Sequence, residues 1–221
     1  MSQNVDLTLS WIRVGGICGV LSIASYLTAA FIPLPNTLSY AAAFAFGPLL
    51  AIGATGLYYC LAINHRGPLV QIATIFAIAG GITVLIMLTT QQAIFGVMKV
   101  AIKRASEPAA ADVYRKVADG LDAVHLGMDV AWDILISAAV ILFGIAMLRH
   151  PKFGRVMGGL GILFGGLLLG FNLWYFPIPP ATANSIDWGP FVALWLLVTF
   201  VLVLRAARWA RERVEREPTP N

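Results

Sequence analysis

Asp122, His125, Asp129 and Asp133 follow one another at intervals of three, four and four residues, in a stretch that then runs apolar to Leu148. On an α-helix those intervals put all four side chains on one face. Ionisable groups are costly at membrane depth, by several kcal/mol, so they turn toward a protein interior or toward water. Asp129 and Asp133, one turn apart, repel each other, and a proton or a cation held between them relieves that repulsion. His125 stands one turn before Asp129, and histidine is the side chain whose ordinary titration lies nearest neutral pH. The chemistry this pattern suits is the binding of a small solute, a cation or a proton.

Catalysis has weaker support. A metal-dependent hydrolase needs about three good ligands, and His125 is the one histidine at the right level. His65 and His150 fall on the opposite side by topology, which also argues against a haem held between paired histidines. No Gly-x-Ser-x-Gly elbow, P-loop or His-Glu-x-x-His motif is present. The reading is therefore non-enzymatic, with no catalytic residue, no cofactor and no metal assigned. Cys18 and Cys60 both lie in apolar runs, without a His or Cys neighbour at metal-ligand spacing, and read as small apolar residues.

The elements that carry these residues are membrane helices. Of 221 residues, 59% are hydrophobic and 12% charged, against roughly 25% charged in soluble domains. A span takes about 20 apolar residues. Six runs qualify: Ile12–Ile32, Ser39–Ile63, Leu69–Ile94, Val130–Leu148, Val156–Phe176 and Phe191–Leu204. The first is longer than the roughly 7 to 15 apolar residues of a signal peptide and reads as a retained span. The expected fold is all-α: one transmembrane domain over residues 1–221, a bundle of six helices with both termini cytoplasmic. Residues 99–121 form an extramembrane helical connection, and 205–221 a charged cytoplasmic tail.

Lysine and arginine set the orientation. With the termini inside, ten lie inside and five outside, all five in the 99–121 connection. The turn Leu148–Arg155, with His150, reads as a basic topology-setting turn. Arg205, Arg208, Arg211 and Trp209 suit an anionic inner leaflet. Half of the net charge of +4 comes from this tail, which gives no case for nucleic acid.

Counting back from Leu148 puts Asp129 at the outer membrane boundary and Asp133 about one turn (~6 Å) inside it. Gln91, Gln92 and Asn172 fall near the same level on neighbouring helices. The expected site is an outward-facing polar pocket: Asp129 and Asp133 as ligand or proton groups, His125 beside them, Gln91, Gln92 and Asn172 as polar partners. The bland alternative leaves Asp122, His125 and Asp129 wet at a helix entrance, with Asp133 alone buried and hydrogen-bonded. Small-xxx-small pairs, including Gly15/Gly19, Gly154/Gly158, Gly161/Gly165 and Gly166/Gly170, allow close helix packing. They leave a homo-oligomer or a larger membrane complex as partner beside the lipid bilayer. An accessory subunit of such a complex is the second functional reading, and a metal-dependent membrane hydrolase the third.

Arg13–Leu21 can be laid beside Arg155–Leu163. Each of those two spans ends in a Pro-x-Pro turn, followed by Gly47-Pro48 and Gly189-Pro190 respectively. If the match is a true repeat, helices one and two recur as five and six in the same orientation; low-complexity membrane sequence also produces such matches by chance.

The stretches Gly120–Asp133 and Met147–Arg155, with the Pro177-x-Pro179 turn and Gly189-Pro190, resemble a bacterial family of six-helix membrane proteins known only as a domain of unknown function. The resemblance covers most of the chain. It implies a multi-pass protein of the bacterial inner membrane and transfers no catalytic residue.

Overall fold

The computed structural model describes residues 2–64, 67–180 and 183–216, without the side chains of residues 2–4, 215 and 216. Six helices follow in chain order: α1 (Ser2–Phe31), α2 (Asn36–Ala62), α3 (Pro68–Arg104), α4 (Pro108–Met147), α5 (Gly154–Tyr175) and α6 (Gly189–Arg216). All six are long and apolar enough to cross a membrane, and no strand occurs among the described residues. His65 and Arg66, in the expected second turn, and the tail residues 217–221 lie outside the described residues.

Proline and glycine set the boundaries. Pro68 and Pro108 open α3 and α4, where a missing N–H costs nothing. Gly154, at φ 71°, takes the left-handed turn that leads into α5. With 37 and 40 residues, α3 and α4 are ~55 and ~60 Å long. The hydrocarbon layer of a bilayer is about 30 Å thick; both helices exceed that length, and their excess lies at the end opposite the termini.

Each helix packs on its neighbours in sequence, and α6 closes the ring against α1. Glycines make several of these crossings. A Cβ on Gly56 would stand 2.6 Å from Gly15 Cα, one on Gly81 2.7 Å from the Gly47 carbonyl, and one on Gly158 2.6 Å from the Gly144 carbonyl. Backbones meet directly at α1–α2, α2–α3 and α4–α5, as close packing in lipid favours. Gly161 leaves the space for Trp195, whose indole N–H donates to the Met157 carbonyl at 2.9 Å and ties α6 to α5. Several helix hydroxyls are satisfied within their own helices: Thr55, Thr74, Thr83 and Thr89 donate to carbonyls four residues back.

The expected repeat does not carry into the structure. Gly189-Pro190 begins α6, whereas Gly47-Pro48 lies in the middle of α2. α1 packs along α2, while α5 packs chiefly on α4.

The basic turn between α4 and α5 holds more than topology. His150 is 2% exposed. Its ring lies 5.0 Å from those of both Phe153 and Trp209, and its Nδ1 accepts the Lys152 N–H at 3.2 Å. Trp209, expected among the leaflet-facing residues of the tail, is turned inward onto this imidazole. Burial pushes the His150 pKa down to about 4; the Cys60 backbone opposes the shift and the Lys152 charge adds to it. The unfolded chain takes up this proton below the ordinary value of 6.5, the folded chain only near 4. Between those values the unfolded state holds more protons. Stability is therefore full above pH 6.5 and declines as pH falls toward 4, by at most ~3 kcal/mol. Unfolding of the detergent-solubilised protein at pH 7 and pH 4.5 checks this: His150→Phe is expected to lose less stability over that interval than the unaltered chain. An equal loss in both would place the sensitivity elsewhere.

Candidate functional site

The ring of helices encloses a chamber of about 190 Å³ at the end opposite the termini. Every helix contributes to it. α1 gives Ile23 and Tyr26, α2 Phe46, and α3 Val84, Met87 and Leu88. α4 gives Asp129, Trp132, Asp133 and Ile136, α5 Leu168, and α6 Gly189, Val192, Ala193 and Leu196. The α5–α6 connection adds Asp187 and two buried prolines, Pro179 and Pro180.

Asp129 and Asp133 line the same wall because they are one turn apart on α4. Asp133 is held in place from α5: Asn172 Nδ2 donates to its Oδ2 at 2.9 Å and to the Leu168 carbonyl at 3.0 Å. Asn172 is fully buried, and its Oδ1 has no hydrogen-bond partner among the described residues. A carboxylate in a membrane protein's interior needs such a donor.

Asp187 is the third carboxylate. Its Oδ1 accepts the Gly189 N–H at 2.8 Å, an Asx turn that starts α6. Asp187 and Tyr26 are the exposed polar members of the lining and stand at the rim. Among the described residues no Lys, Arg or His side chain lines the chamber, so its polar character is that of carboxylates, a phenol and backbone.

Of the residues singled out from the sequence, Asp129 and Asp133 line the chamber and Asn172 is bonded to Asp133. His125 is buried but lies one turn further out. Its Nδ1 is 3.6 Å from Asp122 Oδ1 on the same helix, and neither ring nitrogen has a hydrogen bond among the described residues. Gln91 and Gln92 are not brought into the chamber. On α3 its lining stops at Met87 and Leu88, and both glutamines sit one turn beyond. Gln92 instead borders a separate, wider groove of about 750 Å³ between the projecting parts of α3 and α4, with Gly96, Val100, Arg104 and Tyr114.

Four lining residues escaped the sequence reading: Tyr26, Phe46, Trp132 and Asp187. Asp187 did carry a signal, as the lone acid between Asp133 and Glu212. The aromatics carried none, since an apolar helix uses such residues everywhere.

The carboxylates border the chamber without converging on a point. Among the described residues no group of three His, Cys, Asp or Glu side chains is close enough to hold a metal ion. No known protein family, curated protein or solved structure matches the chain.

Proposed function

We propose that this chain is a multi-pass protein of the bacterial inner membrane, with both termini cytoplasmic. Its chamber binds a small, positively charged or protonatable solute from the outer side, in the manner of a transporter or a sensor. One observation carries the reading: Asp133, oriented by a buried asparagine from another helix, lines a chamber together with two further carboxylates and, among the described residues, no basic side chain. Packing alone would favour filling that space with apolar atoms, because buried carboxylates weaken a membrane domain unless they are paired. The distribution of ten Lys and Arg on the side of the termini against five on the other supports the orientation. The resemblance to a bacterial six-helix family supports the location.

Ligand linkage tests the reading. A cation that binds the folded protein alone raises its stability by about 2.7 kcal/mol at a hundred times Kd. The purified protein is expected to unfold at a higher temperature as monovalent cation is added at constant ionic strength, and Asp129→Asn/Asp133→Asn is expected to lose that response. An equal response in the double variant would reject the chamber as the site.

A further inference from the structure

We infer that the chamber's ligand is a compact organic ammonium ion, held between the three carboxylates and an aromatic wall. The inference rests on the proposal that the chamber is a cation site. Tyr26, Phe46 and Trp132 come from three different helices. The rings of Tyr26 and Phe46 are 5.2 Å apart, and Phe46 meets Trp132 edge-on at 5.7 Å. Gly80 leaves the Trp132 ring room on its far side: a Cβ there would come within 3.3 Å of it. All three aromatics border the open space. Aromatic rings attract a cation within about 6 Å of their centre, most strongly where both are shielded from water.

Three observations separate an ammonium ion from other cations. The carboxylates do not gather closely enough to ligate a metal ion, so the positive charge they face is spread over a larger body. Much of the remaining wall is apolar, with Ile23, Val84, Leu168 and Leu196 among its members. That surface suits methyl or methylene groups and gives nothing to a hydrated inorganic ion. The volume of about 190 Å³ lies below the ~300–1,000 Å³ of sites for drug-sized ligands, so the ligand is small.

The test uses the full chain in a sugar-headgroup detergent, which contains no ammonium group. Tetramethylammonium, ethylammonium and sodium chloride are titrated separately, following tryptophan fluorescence and thermal unfolding. At least one ammonium ion is expected to bind about tenfold or more tighter than sodium. In Trp132→Leu and in Tyr26→Leu that preference is expected to fall about tenfold. If Trp132→Leu fails to fold, Tyr26→Leu decides. Sodium binding as tightly as either ammonium ion, and lost in Asp133→Asn, would overturn the ammonium assignment and leave the cation site standing. No binding of any of the three would overturn both.

Discussion

Asp133→Asn is expected to abolish cation binding while leaving the protein as stable as before, or more so. Asparagine has the same shape and offers a carbonyl oxygen where Asp133 Oδ2 accepts from Asn172 at 2.9 Å. The hydrogen bond between α4 and α5 can therefore persist. What disappears is a negative charge in the membrane domain. Removing that charge relieves a desolvation cost of several kcal/mol, so the unfolding temperature should hold or rise. Binding should move in the opposite direction. Losing one member of a shielded charge pair costs about 2 kcal/mol or more, which is roughly thirtyfold in affinity at the least. A residue that served packing alone would show neither the loss of binding nor this divergence. Titration and thermal unfolding on the same preparation give both numbers. Unchanged affinity would remove Asp133 from the site.

Adjacent glycines on α5 should respond in opposite ways. A Cβ on Gly158 meets backbone atoms, the Gly144 carbonyl at 2.6 Å and the Leu148 nitrogen at 2.8 Å. Backbone cannot rotate away, so Gly158→Leu must push α4 and α5 apart. Overpacking usually costs about 1–3 kcal/mol, and contact with two backbone atoms at the α4 end puts this variant at or above the upper end. The α4–α5 crossing also holds Asn172 against Asp133, so the same change should weaken the site. A Cβ on Gly159 meets nothing within 4 Å. Gly159→Leu should be neutral or gain about 0.5–1 kcal/mol from better helix propensity. Unfolding of the two variants side by side checks the contrast. Equal effects would mean that the α4–α5 crossing is misplaced.

The architecture was legible in the sequence because membrane solvation leaves few choices. Apolar runs of about 20 residues, broken at Pro33-Leu34-Pro35, at Gly67-Pro68 and at the Pro177–Pro180 segment, could become little other than helices and turns. The acidic edge of α4 was legible too, because helical spacing fixes which side chains share a face. The neighbours across the chamber were not. Gln91 and Gln92 were placed by level alone, and on α3 the lining ends one turn (~6 Å) before them. His125 missed by the same turn on α4. The chamber thus ends one turn short of these expected polar partners. Tyr26, Phe46 and Trp132 meet only because α1, α2 and α4 share one ring of helices, and that arrangement is a property of the packing.

His150 shows the same limit. A histidine between Arg149 and Pro151 looks like part of a solvated turn, and only the return of α6 buries it under Trp209. The apparent repeat failed for a related reason. Gly-Pro marks a helix start at Gly189-Pro190, but at Gly47-Pro48 the glycine is needed inside α2, where its backbone meets Gly81. The same dipeptide serves two structural purposes.

Accessibility of position 133 tests the account at its centre. With Cys18 and Cys60 replaced by alanine, Asp133→Cys is exposed in a sealed membrane to a small, membrane-impermeant, ammonium-bearing thiol reagent, applied to one face at a time. Asn36→Cys, at the exposed start of α2, reports on the face opposite the termini. Cysteine 133 is expected to react from that face only, and more slowly once tetramethylammonium is added. Reaction only from the face of the termini, or none from either face while cysteine 36 is labelled, would contradict a chamber open to the outside.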